Sequence, residues 1–95
     1  MMEYFGLVIE GEELMPYFMP GETAYFEKTA LLRDGEVGVF SAGGDMMIRQ
    51  YCEDSFGTVY LFAVNRKMCA LDRTFPKGAD ITCYGRLILQ KIPLP

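Results

Sequence analysis

Hydrophobic residues of this chain fall into short runs separated by glycine, proline and acidic residues. Short runs of β-branched and aromatic residues between such turn residues are typical of β-strands. Only Glu13–Phe18 has room for a helical turn, and Pro16 keeps that turn short. We predict six strands, at residues 4–9, 23–27, 36–40, 46–51, 58–64 and 81–89.

Glycine positions refine this pattern. Gly43-Gly44 separates two predicted strands and indicates a β-hairpin turn. Gly85 lies inside the last predicted strand and indicates a bulge or a sharp bend. Residues 65–78 are charged and include Phe75-Pro76, so we predict a loop there. Together these features predict an all-β, barrel-like or clip-like domain with at most one helical turn.

The size and hydropathy of the chain fit one soluble domain. Its 95 residues are 51% hydrophobic, which is enough for a single core. Every uninterrupted apolar run is far shorter than the about 20 residues of a membrane-spanning helix. The first residues have no basic and apolar signal-peptide pattern. We therefore expect a cytoplasmic protein without a membrane segment.

Charge is distributed unevenly along the chain. Residues 1–54 hold eleven acidic and three basic residues, a charge of −8, and residues 55–95 hold two acidic and six basic residues, a charge of +4. The basic residues are scattered rather than clustered. Because affinity for DNA comes largely from clustered phosphate contacts, we expect no DNA binding by this domain itself.

Histidine is absent from the sequence, which excludes Ser-His and Cys-His nucleophiles and histidine-containing metal sites. The cysteines are Cys52, Cys69 and Cys83. Their odd number and wide spacing match no zinc pattern, and we predict three reduced thiols. We expect neither a metal nor another cofactor.

The stretch Gly11–Pro16 and the following Pro20-Gly21-Glu22 have the spacing of a known motif. They resemble the nucleophile box of the LexA-like self-cleaving repressors and their UmuD-like relatives. That box reads Gly-Asp-Ser-Met-x-Pro, followed by four residues and Gly-Asp. All the spacings agree without a gap.

The likeness continues downstream and covers nearly the whole chain, from about Phe5 to Leu89. Segments that match the family's later turns and strands are Arg33–Val37, Met46–Tyr51, Asn65 and Gly85–Ile88. The resemblance implies a LexA C-terminal-domain-like fold over residues 1–95. It also implies that this single domain is the C-terminal part of a larger regulator.

The resemblance assigns two positions to chemistry. Family members attack a peptide bond with a serine whose proton is taken by a neutral lysine; here the serine position is Glu13 and the lysine position is Arg49. A carboxylate is a poor nucleophile, and a guanidinium stays protonated and cannot act as a base. Neither Ser41 nor Ser55, the only serines, is placed beside a lysine by the motif. We therefore predict a degenerate, non-catalytic peptidase domain.

The two substitutions are complementary in charge. We hypothesise that Glu13 and Arg49 form an ion pair in the former active site. The alternative is that both are independent surface charges that changed after activity was lost. A further difference from the family lies upstream, because residues 1–10 contain none of the Ala-Gly or Cys-Gly bonds at which relatives cleave themselves.

The family's architecture implies a homodimerising, regulatory role in a helix-turn-helix transcriptional regulator, with DNA contacted only through a separate N-terminal domain. Two alternatives stay open: a self-processing peptidase that uses unrecognised residues, and a free-standing ligand-binding or partner-binding domain. Four methionines are expected near the former site, namely Met15, Met19, Met46 and Met47. They would give a ligand-binding or partner-binding domain an adaptable surface, or they simply fill the core. The dimer interface, or alternatively a strand on the domain's own core, is expected at Leu87, Leu89, Ile92 and Leu94.

Overall fold

The computed structural model describes residues 2–88, which form an antiparallel sheet. Its seven strands lie in the order β1-β2-β7-β3-β4-β5-β6. A short 3-10 helix, Arg66–Leu71, follows β5. The strands are β1 Tyr4–Val8, β2 Thr23–Lys28, β3 Val37–Ala42, β4 Asp45–Glu53, β5 Val59–Phe62, β6 Arg73–Phe75 and β7 Ile81–Leu87. Side chains alternate between buried or half-buried and exposed positions along β1 and much of β2, whereas β3 is buried on both faces.

The all-β prediction is confirmed, and all six predicted strands are present with ends shifted by a few residues. The prediction of a loop over residues 65–78 is wrong, because this segment contains the 3-10 helix and β6. The helix begins where the Asn65 side chain accepts a hydrogen bond from the Lys67 backbone N–H. Residues 13–18 form only a turn, in which the N–H of Phe18 donates to the Leu14 carbonyl at 3.0 Å.

Both glycine predictions are confirmed. Gly43 and Gly44 have φ values of 57° and 84° and form the two-residue turn between β3 and β4. Along β7, Cys83 pairs with Phe40 and Gly85 with Val39, so Tyr84 is the extra residue of a bulge. Gly85 also gives room to Phe5, whose ring would lie 2.7 Å from a Cβ at this position.

Two groups of buried side chains form the core. One lies between the turn at residues 11–21 and strands β2, β3 and β7, and the other lies between β3, β4 and β5. Leu87 is buried in the first group, as expected for the alternative of a strand on the domain's own core and not for an exposed interface residue. Leu89, Ile92 and Leu94, predicted with it, lie outside the described residues. Among residues 2–88, none of the helical segments could traverse a bilayer.

Candidate functional site

The turn at residues 11–21 is anchored on both sides. Leu14 and Phe18 are buried in the first core group and fix the turn to the sheet. On the other side, the Asn65 backbone N–H donates to the Glu13 carbonyl at 2.9 Å, and its side-chain Nδ2 donates to the Glu12 carbonyl at 2.8 Å. Packing and hydrogen bonds thus hold the backbone of Glu13 in one place.

Arg49 reaches the site from β4. Strand alternation turns Met47 and Arg49 inward, and Arg49 is only 9% exposed. Its Nη1 donates to the Ile48 carbonyl at 2.8 Å, whereas the enclosed Nε has no hydrogen-bond partner among residues 2–88. Burial lowers the pKa of Arg49, and the carboxylates of Glu13 and Asp72 oppose that effect. The guanidinium nevertheless stays protonated.

Glu13 and Arg49 line one depression, which we name the β1–β4 groove. Its volume is about 400 Å³, within the range of ligand pockets. Two of the four methionines expected here are present, and Met15 and Met19 lie elsewhere. The lining residues are Leu7, Val8, Ile9, Glu10, Glu13, Val39, Met46, Met47, Ile48 and Arg49.

Two strand edges that have no strand partner among residues 2–88 face this groove. β1 is the first strand of the sheet, and β5 pairs only with residues 50–53 of β4. The Ile9 N–H donates to the Glu22 carbonyl, so the backbone groups of odd-numbered residues of β1 point toward β2. The N–H and C=O groups of Gly6 and Val8 then point away from β2 and have no strand partner in the described part of the chain. The backbone groups of Tyr51 in β4 bond on the side of β3. By the same alternation, the backbone N–H and C=O groups of Met46 and Ile48 point to the opposite side of β4, where residues 2–88 provide no strand partner for them.

The hypothesised ion pair does not form. Within residues 2–88, no Arg49 nitrogen lies within 4.0 Å of a Glu13 carboxylate oxygen. The Glu13 carboxylate instead folds back over Gly11, where an added Cβ would lie 2.6 Å from Oε2. The guanidinium turns to the Ile48 carbonyl. The two charges therefore interact through space without contact.

Comparison with protein families identifies the domain. The model of the family described as Peptidase S24-like matches residues 2–88, which is nearly the whole chain. The chain belongs to the S24-like peptidase family. A search of curated proteins found no match. The resemblance to LexA-like and UmuD-like domains is thereby confirmed, together with the all-β fold.

Within this S24-like domain, the assignment of Glu13 and Arg49 to the family's serine and lysine positions stays a prediction. The described residues that line the β1–β4 groove include no serine, threonine, cysteine or lysine. Ser41 lies half-buried on β3, and Ser55 is exposed in the turn before β5. Among residues 2–88, the ionisable groups that line this groove are two carboxylates, Glu10 and Glu13, and the guanidinium of Arg49.

Sequence reasoning missed three contributors to the site. Asn65 matched the family only by position, and its hydrogen bonds to the turn depend on the fold. Glu10 lines the groove because it continues the edge of β1. Asp72, which acts electrostatically on Arg49, accepts hydrogen bonds from the Ala63 N–H at 2.7 Å and from Arg66. None of these three has a local sequence signal for its role.

Within residues 2–88, the acidic and cysteine residues outside the groove form no comparable site. Among residues 2–88, no three acidic or cysteine side chains are placed to hold a metal ion. All three cysteines are free; Cys52 and Cys83 are half-buried and Cys69 is exposed. Burial raises the pKa of both half-buried thiols, so these thiols are poor nucleophiles at neutral pH.

Proposed function

We propose that this S24-like domain is non-catalytic and serves as the dimerisation and regulatory module of a helix-turn-helix transcriptional regulator. DNA is then read by a separate N-terminal domain, and the protein works in the cytoplasm as a homodimer. The observation that carries the proposal is the composition of the β1–β4 groove. It presents Glu13 and a buried Arg49 where the family resemblance expects serine and lysine.

Two chemical reasons support the loss of activity. Peptide cleavage by a serine–lysine pair needs a hydroxyl and a neutral amine within hydrogen-bond reach. A guanidinium does not give up its proton in a protein, and the Arg49 Nη1 already donates to the Ile48 carbonyl. The carboxylate of Glu13 cannot replace a serine alkoxide as the attacking group on an unactivated amide.

Intact-mass spectrometry tests this part of the proposal. The purified chain is incubated for a day at pH 7 and at pH 10, where a lysine base would be more often neutral. We expect no change of mass at either pH. Time-dependent cleavage that disappears in Glu13→Ala would overturn the non-catalytic assignment and favour a self-processing peptidase.

An exposed aromatic surface supports the dimerisation role. Tyr4 on β1 and Tyr25 on β2 are both exposed, and they lie beside Ile88, the last described residue of the chain. A hydrogen bond from the Ile88 N–H to the Tyr25 carbonyl, 3.0 Å long, fixes this end of the chain to β2. Exposed aromatic rings with a polar rim are typical of protein interfaces, and Glu27 and Arg86 form such a rim here.

Light scattering across a concentration series tests the dimer. We expect the mass of a dimer, and we expect Tyr25→Lys to weaken dimerisation by at least about tenfold, because a buried ammonium would replace an aromatic anchor. Leu31→Lys is the matched control, since Leu31 is also exposed but lies outside this surface. A monomer at the highest concentration, or equal weakening by both variants, would contradict the dimerisation role.

A further inference from the structure

A second depression lies at the other end of β4 and shares no lining residue with the β1–β4 groove. We name it the loop cleft, because three loops surround it: residues 30–32 before β3, residues 54–57 before β5 and residues 76–79 before β7. Its volume is about 470 Å³, which is within the range of pockets that hold small molecules. The loop cleft is thus separate from the candidate site described above.

Aromatic and apolar side chains form the floor of the loop cleft, which lies over the second core group. Phe40 on β3 and Tyr51 on β4 stack with their ring centres 6.2 Å apart. Val59, Ile81 and Cys83 are half-buried beside them and also line the cleft. The floor therefore offers contact area to the apolar body of a ligand.

Two large apolar side chains at the loop cleft are exposed to water. Leu31 is 81% exposed and Phe56 is 82% exposed, more than any other large apolar side chain among residues 2–88. Both line the loop cleft, although they belong to different loops. Exposed apolar side chains that gather at one depression are typical of binding sites. A ligand in the loop cleft would bury part of both side chains.

Hydrogen bonds within the loops hold these two residues in place. The Asp54 Oδ1 accepts from the backbone N–H groups of Phe56 and Thr58, at 2.9 and 3.0 Å. In the loop before β3, the Thr29 Oγ1 accepts from the Leu31 N–H at 3.2 Å. Because both loops are ordered before a ligand arrives, binding loses less conformational entropy.

Carboxylates outnumber cations at the loop cleft. Glu53 and Asp54 line it, the Asp34 carboxylate accepts from the Glu53 backbone N–H at 2.7 Å, and the described lining includes one basic residue, Lys77. Burial, followed by the hydrogen bond and charge of Glu53 and by the charge of Asp34, raises the pKa of Tyr51 to about 12. The Tyr51 hydroxyl thus keeps its proton. The negative field in the cleft favours a cationic ligand.

The Glu53 carboxylate is available to receive that cation. Its Oε1 accepts from the Tyr51 hydroxyl at 2.8 Å, and Glu53 forms no ion pair within residues 2–88. Lys77 does not neutralise it, because no contact between the two charged groups is as short as 4.0 Å. Since Glu53 and the apolar floor line the same cleft, one small molecule can contact both.

We propose that the loop cleft binds a small amphipathic organic cation, an amine whose apolar body lies on the floor of Phe40 and Tyr51 and whose ammonium group pairs with Glu53. The inference goes beyond the proposed function and is independent of it. The loop cleft shares no lining residue with the β1–β4 groove or with the aromatic surface around Tyr4 and Tyr25.

NMR titration with three probes of equal shape tests the charge preference. The probes at pH 7 are phenylbutylamine, which is cationic, phenylbutanol, which is neutral, and phenylbutanoate, which is anionic. We expect the amine to bind in the millimolar range and about twofold to fivefold more tightly than the alcohol, because one partly exposed pair of opposite charges has roughly that effect. Phenylbutanoate should bind most weakly, and added salt should reduce the differences. Backbone chemical shifts should change at residues 31–32, 53–57 and 77–81.

Two pairs of variants separate the charge from the apolar contact. Glu53→Gln keeps an acceptor for the Tyr51 hydroxyl but removes the charge, so the amine and the alcohol should bind equally; Asp45→Asn, at an exposed acid of β4 outside the cleft, should keep the preference. Phe56→Ala should weaken the binding of all three probes by about threefold to fivefold and keep their order. Its control, Tyr84→Ala, removes an exposed ring outside the cleft and should leave the three affinities unchanged.

Equal affinities for the amine and the alcohol, or tighter binding of phenylbutanoate, would overturn the inference. So would equal effects of Glu53→Gln and Asp45→Asn, or the absence of binding by all three probes at millimolar concentration. Shifts at the same residues when the protein concentration is raised without a probe would show that a second copy covers the cleft, which also contradicts the inference. Peptide cleavage is measured separately by the mass of the chain, so failure of the proposed function leaves these results unchanged.

Discussion

Two arginines of this domain, the half-exposed Arg86 and the buried Arg49, lie in opposite electrostatic surroundings. Arg86 on β7 lies between two carboxylates, with Nη2 at 2.7 Å from Glu27 and Nη1 at 3.4 Å from Glu36. Arg49 is more deeply buried, yet within residues 2–88 its one side-chain hydrogen bond goes to the carbonyl of Ile48. Hydrogen bonding to Glu27 raises the pKa of Arg86, whereas burial lowers the pKa of Arg49.

The two arginines differ in role: Arg86 belongs to an ion-pair network that stabilises the fold, whereas Arg49 belongs to the candidate site. Glu27 and Arg86 are cross-strand partners on β2 and β7, so strand register alone brings them together. Glu13 lies on a turn, and its carboxylate folds over Gly11 rather than toward Arg49. An arrangement that optimised only the folded state would pair every buried charge. Arg49 is therefore a buried charge that residues 2–88 compensate only in part.

Replacing each arginine by methionine gives the largest expected contrast. Arg86→Met leaves Glu27 and Glu36 partly buried without their cation, and we expect it to lower the free energy of unfolding by about 1–3 kcal/mol. Arg49→Met removes a poorly compensated charge and keeps an apolar side chain of similar length. We expect its free energy of unfolding to stay within about 1 kcal/mol of the wild type, or to rise.

Urea unfolding at neutral pH measures both variants. Equal losses of stability, or a larger loss in Arg49→Met, would show that Arg49 stabilises the fold as strongly as Arg86 does. In that case the account of Arg49 as a site residue would be wrong.

Asn65 gives the next largest effect, because it holds the turn that carries Glu13. Asn65→Ala removes the hydrogen bond from Nδ2 to the Glu12 carbonyl and the cap on the Lys67 N–H. We expect a loss of about 1–2 kcal/mol in the free energy of unfolding. Asn65→Asp keeps the cap but cannot donate to Glu12, so its loss should be smaller. An unchanged stability in both variants would show that the turn is held by Leu14 and Phe18 alone.

Asp72 should produce the smallest effect, visible mainly in acid. Hydrogen bonds from Arg66, followed by that from the Ala63 N–H, lower the pKa of Asp72 below its ordinary value of 3.8. A carboxyl with a depressed pKa in the folded state stabilises the protein above its unfolded pKa and loses this contribution as pH falls through the folded pKa. Asp72→Asn should therefore be less stable than the wild type at pH 6, and the gap should shrink below pH 3.8. A gap that does not depend on pH would contradict this assignment.

Local patterns in the sequence predicted much of the fold. Gly43-Gly44 and Gly85 require particular backbone geometries, and both predictions hold. β6 was not predicted because its three residues become a strand only through pairing with β5. A residue pattern this short carries too little information to predict a strand.

The candidate site was predicted in part. The motif spacing predicted that Glu13 and Arg49 lie in the same groove, and they do. It also suggested a direct contact, which does not form, because side-chain directions are not determined by spacing. The free edge of β4 exists because β5 starts its pairing at Gln50 and leaves the preceding residues unpaired. Such an edge is a property of the whole sheet, and no segment of sequence encodes it alone.

The central claim is that this S24-like domain does not cut peptide bonds. Intact-mass spectrometry of the purified chain at pH 7 and pH 10 tests this claim most directly. We predict that the mass stays unchanged for a day at both pH values. Fragments that form with the wild type and disappear with Glu13→Ala or Arg49→Ala would contradict the account.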